Sequence, residues 1–285
     1  MSGRALLLVT VAALGCNHSP RVNPAWRTVT AAQGLRGEHE ATVNVQYGAG
    51  RFHLTPGTGD ELYRMQLRYD ENSFTPVREY DPATQTLHLG VKGRSGGIRV
   101  RSRHGDAPPS MDLALTPSIP LTLILEMGAV EADVDLGGLA LHRATFRTGA
   151  SSSHLRFARP NTAECEELTI EAGAAELHAE QLANSNCARV NFNGGVGEVT
   201  LDYSGTWRRS MTADVNVGVG SLKLKLPRSV GVSVHLNRFL ASFDAAGFEK
   251  RGDTYVTSNF ESAKNRLEMN VNASIGGVDV EWVNP

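Results

Sequence analysis

The feature that most constrains the fold is a short glycine-centred segment that recurs along the chain. Each copy places a glycine or a cluster of small residues between two runs of alternating apolar and polar residues. Eight copies align in one register: QYGAGRFHL (46–54), EMGAVEADV (126–134), RTGASSSHL (147–155), EAGAAELHA (171–179), NGGVGEVTL (193–201), NVGVGSLKL (216–224), NRFLASFDA (237–245) and NASIGGVDV (272–280). A spacing of roughly 22 residues is typical of repeat architectures.

The alternation around each glycine predicts strands with one buried face. In the copy at 216–224, Leu222 and Leu224 alternate with Ser221 and Lys223. Period-two alternation is the pattern of a half-buried strand. One such unit cannot bury its apolar side alone, so neighbouring units must stack. We therefore predict an all-β fold, a single-domain β-solenoid with roughly 22-residue glycine-cornered repeats. The alternative is a sandwich or barrel of hairpins, which requires no shared register.

The glycines of the repeat are expected at the corners between strands. Glycine there supplies either a positive φ angle or room for close backbone approach. The predicted structural glycines are Gly48, Gly128, Gly149, Gly173, Gly195, Gly218 and Gly276.

The N-terminus predicts export. Arg4 precedes a short apolar run over residues 5–14, which is typical of a secretory signal and too short to span a bilayer. The sequence Ala-Leu-Gly-Cys at 13–16 resembles the lipobox of bacterial lipoproteins, which predicts lipidation of Cys16 and attachment to the membrane through that lipid. The alternative is an ordinary signal peptide with an incidental cysteine. We expect a protein anchored to the bacterial cell envelope, facing the periplasm or the exterior.

These features divide the chain into three parts. The predicted boundaries are a lipoprotein signal peptide at 1–15, a lipidated tether and linker at 16–40, and the solenoid at 41–285, with N-terminal coils and a loop at 41–115 and regular repeats at 116–285.

Composition argues against nucleic acid as a ligand. The formal net charge is -2, and only 6% of residues are aromatic. Such a chain has neither the basic field nor the stacking platforms that nucleic acids require.

Two cysteines test the solenoid register. Cys165 and Cys187 each lie eight residues before a corner glycine, at equivalent positions of adjacent coils. Adjacent strands are about 4.8 Å apart, within the Cα separation that a disulfide accepts. We predict a disulfide between them in the oxidising compartment outside the cytoplasm; the alternative is a pair of reduced thiols.

One outward row contains metal-ligating residue types. Asp133, His154 and His178 occupy the same position on three successive coils and could share a zinc ion. Thr200 and Lys223 continue the row and do not extend a site. The preferred interpretation is an ordinary polar face, so no metal and no cofactor are predicted.

Two motifs of metal-dependent hydrolysis and thiol redox chemistry, HExxH and CxxC, do not occur in the sequence. The one arrangement that favours an enzyme is Glu176 and Glu198, predicted on adjacent coils at the separation of a retaining glycosidase pair. A polysaccharide-acting β-helix hydrolase of the envelope is therefore the alternative to a protein without catalytic activity.

The glycine-punctuated strands resemble the toast-rack domains of bacterial envelope proteins, including the LiaF-like cell-wall-active-antibiotic response proteins. The resemblance rests on the order of QYGAGRFHL, LRYDENSFTPVREYDPATQTLHL (67–89), LTLILEMGAVEADVDLGGLALHRATFRTGA (121–150), LPRSVGVSVHL (226–236), RGDTYVT (251–257) and GGVDVEW (276–282). It implies a non-enzymatic module for envelope stress sensing or adhesin-like binding of a protein or surface. The expected partner is an envelope protein or polymer.

Overall fold

The computed structural model describes residues 23–94 and 107–284, which form one sheet of fifteen strands with a single short 3₁₀ turn at Leu182–Ser185. The signal peptide and Cys16 lie outside the described residues. The strands are β1 Trp26–Gly34, β2 Ala41–Pro56, β3 Glu61–Asp70, β4 Phe74–Asp81, β5 Thr86–Gly93, β6 Ser110–Leu115, β7 Leu121–Asp135, β8 Leu141–Arg156, β9 Cys165–Glu180, β10 Cys187–Asp202, β11 Met211–Pro227, β12 Gly231–Phe243, β13 Glu249–Arg251, β14 Thr254–Val256 and β15 Arg266–Val283.

Eight long strands form a parallel stack in the order β2, β7, β8, β9, β10, β11, β15, β12. From β7 to β11 the strands stack in the same order as they occur in the chain. Equivalent residues therefore lie side by side, as in the row Thr122, Arg143, Glu167, Arg189 and Thr212. Neighbours along this row are therefore 21 to 24 residues apart in sequence. Parallel pairing of successive strands excludes the meander of hairpins and confirms the all-β solenoid.

Each long strand passes through the corner of its repeat and so has two halves, which we call the first arm (before the corner) and the second arm (after it). Beyond β2 the arms continue separately, because β5 and β4 extend the first arm and β6, β3 and β1 extend the second.

The core lies on the inner side of both arms. In β7, Leu123 and Leu125 of the first arm and Val134 of the second arm are almost fully buried, as the alternation predicts. Phe157, Leu182 and Tyr203, from the turns between strands, are also fully buried. The apolar residues of all coils form one continuous cluster, as a stack of units requires.

The corner glycines are required for close approach of the coils. A Cβ on Gly195 would lie 2.6 Å from the carbonyl oxygen of Gly173, and a Cβ on Gly218 would lie 2.5 Å from that of Gly195. None of the first six predicted glycines has a positive φ angle. The positive φ angles occur two residues later in the register, for example at Gly197 and at the seventh predicted glycine, Gly276.

The stack order differs from the chain order at the C-terminal end, where β12 follows β11 in the chain but does not lie beside it. The structure inserts β15 between them: Asn216 pairs with Asn272, and Asn272 pairs with Asn237. The segment between β12 and β15 contains a hairpin, β13 and β14, which pairs with β12 rather than with the final strand.

The predicted linker at 16–40 is wrong in part, because Trp26–Gly34 is a strand. This strand, β1, pairs antiparallel with β3 over its whole length and extends the second arm. Its sequence, WRTVTAAQG, has no corner glycine, so the repeat pattern gave no sign of it.

Buried amides join the turns of successive coils. Asn161 accepts a hydrogen bond from the Leu141 backbone N–H at 2.7 Å and donates to the Leu141 carbonyl at 2.8 Å. Asn184 repeats this role, donating to the Phe157 carbonyl and accepting from the Thr206 N–H, both at 2.8 Å. These side chains satisfy backbone groups that the turns would otherwise bury unpaired.

The predicted disulfide is confirmed. Cys165 and Cys187 lie opposite each other on β9 and β10, with Cα atoms 4.1 Å apart and the sulfur atoms bonded. Both residues are buried, so the bond links two coils inside the stack.

Candidate binding groove

A shallow groove runs along the first-arm side of the corners. Its floor is the row of corner positions, which is glycine on six strands and Ser274 on β15, and its wall is the row of side chains two residues earlier in each strand. It contains two open cavities of about 800 and 410 Å³ that meet at Asn193. We call this feature the glycine-floored groove. The seven stacked strands that line it, from β2 to β15, give it a length of roughly 29 Å at about 4.8 Å spacing.

The wall begins with charged and amide side chains on the N-terminal coils. Gln46, Glu126, Arg147 and Glu171 lie side by side on β2, β7, β8 and β9. Gln46 donates to Glu126 at 2.9 Å, while Arg147 forms ion pairs with Glu126 at 3.3 Å and with Glu171 at 2.9 Å. All three ion-paired side chains are between 42 and 46% exposed, so this half of the wall is zwitterionic and wet.

The wall continues as a ladder of four asparagines. The Nδ2 group of Asn216 donates to Asn193 at 2.8 Å, that of Asn272 donates to Asn216 at 2.7 Å, and that of Asn237 donates to Asn272 at 3.1 Å. The amides are thus bonded head to tail across β10, β11, β15 and β12. Because each is fixed by its neighbour, the ladder presents a regular row of polar groups.

An apolar ridge borders the floor on the C-terminal coils. The residue that follows each floor position is Val196, Val219, Ile275 or Leu240, and these four lie in register. They are 58, 43, 47 and 63% exposed. On the coils before β10 the same position holds alanine, as at Ala174, so the groove changes from polar to amphipathic along its length.

Two buried hydroxyls belong to the lining at the N-terminal end. Tyr47 and Thr148 immediately precede floor glycines, and within the described residues neither hydroxyl has a hydrogen-bond partner. Burial raises the pKa of the Tyr47 hydroxyl above its ordinary value, and the negative charge of Asp112 acts in the same direction.

The outward row of metal-ligating residue types is present, and two of its members have charged partners of their own. Asp133, His154 and His178 lie in register, with the two imidazole rings stacked 4.8 Å apart. The Asp133 carboxylate accepts a hydrogen bond from Arg156, and His178 lies 3.5 Å from Glu176. Over residues 23–94 and 107–284, no three His, Cys, Asp or Glu side chains converge on a point that could hold a metal ion.

The two candidate catalytic carboxylates lie on the second arm. Glu176 and Glu198 are directly opposite each other on β9 and β10, and both are exposed. The glycine-floored groove lies on the other side of the corner and is lined by neither residue. A glycosidase acid is held protonated by an apolar pocket, and an open strand face does not provide one.

The groove wall was missed in the sequence, although its signal was visible. The wall residue is the first letter of each aligned segment, and it reads Q, E, R, E, N, N, N and N in chain order. Outward polar residues are the default on a strand face, so this row attracts notice only once the stack order is known.

An all-β parallel solenoid with an open groove along its corners defines a class of repeat proteins with extended surfaces. The chain belongs to the family described as the N-terminal domain of toast_rack, DUF2154, whose model matches residues 27–180 and 161–225. This confirms the resemblance seen in the sequence. Among curated proteins, none matches the chain.

Several crystal structures are similar to this fold. A Clostridium sporogenes protein provisionally described as a cell adhesion protein has 19% identity and a TM-score of 0.48, covering 91% of this chain and all of its own. A Bacteroides fragilis protein provisionally described as an adhesin has 11% identity and a TM-score of 0.41, covering 92% and 100%. A Parabacteroides distasonis protein provisionally described as lipid binding has 12% identity and a TM-score of 0.34, covering 91% and 97%.

No helix within the described ranges is long and apolar enough to cross a membrane.

Proposed function

We propose that this protein is a lipid-anchored, non-catalytic binding module of the bacterial cell envelope, adhesin-like in action. In this proposal it holds an extended polymer or protein segment along the glycine-floored groove. The observation that carries the proposal is the continuity of the groove across seven strands of the stack, since an elongated, regular surface suits an elongated ligand.

The groove is organised before any ligand arrives. Gln46, Glu126, Arg147 and Glu171 are bonded to one another, and the asparagine ladder is bonded throughout. Side chains that are already fixed lose little conformational entropy on binding. The floor carries almost no side chains, so a ligand backbone can approach the sheet closely.

The charge of the groove limits the ligand class. The charged half pairs two carboxylates with one guanidinium, and the asparagine half is neutral. Such a wall offers hydrogen-bond donors and acceptors without a strong field. An uncharged or zwitterionic ligand, such as a neutral glycan or a polypeptide segment, fits this surface.

Export and lipidation at Cys16 would keep the groove beside envelope components. Adhesion and stress sensing both begin with binding one of these components, and adhesion requires no second domain to transmit a signal. We therefore propose adhesin-like binding as the primary function, and envelope stress sensing as a second function that would depend on ligand binding in the same groove.

The groove is tested by binding of the purified protein to washed cell envelopes. Asn216→Arg places a charge in the middle of the asparagine ladder, and Ser221→Arg places the same charge on the second arm of the same strand, also at an exposed residue. We expect saturable binding that Asn216→Arg weakens at least about tenfold and that Ser221→Arg leaves unchanged. Equal binding by both variants would exclude the groove as the site.

The anchor is tested separately, by metabolic labelling with a palmitate analogue. Wild-type protein should carry the label and partition into the detergent phase, and Cys16→Ser should do neither. An unlabelled wild-type protein would exclude lipidation without affecting the groove.

A further inference from the structure

Half of the outer edge of β12 is open. The hairpin pairs antiparallel with Ser233, Val234 and His235 through Thr254–Val256. Residues 236–243 pair with β15 on one side, and no described strand pairs with them on the other. An open edge presents unpaired N–H and C=O groups, which favours the addition of another strand.

Residues 236–243 of β12, which we call the free run, lack the charges and prolines that usually protect an exposed edge. Its sequence is LNRFLASF, with one charge and no proline. Phe239 is 80% exposed and Leu240 is 63% exposed, more than any other large hydrophobic side chain in the described ranges. Exposed apolar side chains of this size on a sheet edge mark an interaction site.

The free run is complementary to itself. Its midpoint falls between Phe239 and Leu240, so antiparallel pairing with an identical run places each Phe239 opposite a Leu240. In that register Asn237 lies opposite Ser242, which pairs polar with polar. The result is an apolar centre with polar flanks, the usual arrangement of a protein interface.

The corner in β12 makes this register possible. In a straight strand, two residues an odd number of positions apart point to opposite faces, so Asn237 could not match Ser242. Here both residues are exposed, because the corner lies between them. Leu236 and Phe243 likewise both lie beside buried valines of β15, Val271 and Val278. Faces therefore match along the whole run.

We propose that the free edge of β12 binds the same edge of a second copy of this chain, in antiparallel register about a two-fold axis between Phe239 and Leu240. The hairpin covers the edge up to His235, and the strand ends at Phe243. In this register the β12 strand of the second copy therefore ends beside the point where the hairpin of the first copy begins to pair. The apolar ridge of Leu240, Ile275 and Val219 continues across the axis into the partner.

The pairing is short for a protein interface. Eight residues from each copy bury little area beyond the two aromatic and two leucine side chains at the centre. We expect a dissociation constant on the order of 10 µM, typical of small interfaces.

Sedimentation equilibrium of the full exported protein tests the dimer, with Cys16→Ser in every sample so that no acyl chain drives association. Leu240→Arg places two charges at the centre of the pair. Val196→Arg is the matched control, because it replaces an exposed ridge residue on β10, which β11 and β15 separate from the edge strand. We expect a wild-type dimer, at least a 100-fold weaker Leu240→Arg dimer, and no change in Val196→Arg. Thermal unfolding should be equal in the two variants.

A cross-linking experiment fixes the register. The double variant Asn237→Cys with Ser242→Cys should form two intermolecular disulfides, whereas each single variant should remain uncross-linked. Within one chain the two positions are too far apart to bond. A wild-type protein that stays monomeric well above the expected dissociation constant, or a dimer that Leu240→Arg leaves intact, would overturn the proposal and leave the edge to a strand of another protein.

Discussion

Replacing a corner glycine by alanine tests why the row consists of glycine. Either the neighbouring coils pack too closely for a side chain, or the backbone adopts a conformation that only glycine adopts easily. Gly195 and Gly48 occupy the same position of the repeat, and neither has a positive φ angle. A Cβ on Gly195 would lie 2.6 Å from the Gly173 carbonyl oxygen, whereas a Cβ on Gly48 would meet nothing within 4 Å. The two substitutions therefore differ only in whether the neighbouring coil must move.

The magnitude follows from that distance. Ordinary contact begins near 3.4 Å, so adjacent coils at Gly195→Ala must separate by about 0.8 Å, and overpacking of this kind costs about 1–3 kcal/mol. Alanine also restricts the unfolded chain more than glycine does, which raises the free energy of unfolding by about 0.4–1 kcal/mol in both variants. We expect Gly195→Ala to lose about 1–2 kcal/mol, or roughly 2–6 °C in melting temperature, and Gly48→Ala to gain slightly.

Thermal unfolding followed by circular dichroism, with a urea titration of the same samples, measures both variants. Equal losses in the two variants would mean that the row is glycine for conformational reasons, and that the account of coil stacking is wrong.

Four further predictions concern the core and its links. Cys165→Ser should lower stability by about 3 kcal/mol, measured by urea unfolding, because the disulfide closes a loop of 22 residues; an unchanged midpoint would contradict this. Ser153→Ala should raise the melting temperature, since the Ser153 hydroxyl is buried without a partner among the described residues and such a group costs about 1–3 kcal/mol. Asn184→Ala should lose about 1–3 kcal/mol in the same assay, because the buried Phe157 carbonyl would be left unpaired and the partly buried Thr206 N–H would lose its acceptor; a neutral effect would mean that water replaces the amide. Tyr203 is fully buried, and burial raises its pKa, so the folded state holds its proton where the unfolded chain releases it. Wild-type stability should therefore fall above about pH 10, more steeply than that of Tyr203→Phe by up to about 1.4 kcal/mol per pH unit, and parallel pH profiles would contradict the burial.

The fold was readable from the sequence wherever one coil resembles the next. The alternation at Leu222 and Leu224, the glycine row and the equivalent positions of Cys165 and Cys187 all reflect the same physical requirement. Each coil must match the coil beside it, so the pattern repeats and can be aligned. The disulfide followed from that alignment alone.

The order of the last strands could not be read in this way. β12 and β15 carry the same alternation, and either fits beside β11 as far as local pattern is concerned. The choice depends on long-range contacts: β15 carries Gly276 with a positive φ angle beside Gly220 of β11, whereas β12 has Ala241 at that position. β1 was missed for a related reason, since an antiparallel edge strand need not follow the repeat.

The candidate groove was only partly predictable. The corner glycines of its floor were identified, but as structural elements rather than as the base of a groove. The wall depends on which outward side chains the stack brings into contact, and the bond between Asn216 and Asn272 joins residues 56 positions apart. Sequence spacing alone does not show such a pair.

The most direct test of the central claim, that the glycine-floored groove holds an envelope ligand, is photo-cross-linking in living cells. A benzoylphenylalanine side chain would be placed at position 216 in the groove wall and, in a separate protein, at position 221 on the second arm of the same strand. We predict a discrete adduct from position 216 and none from position 221. Adducts of equal yield from both positions, or from position 221 alone, would contradict the account.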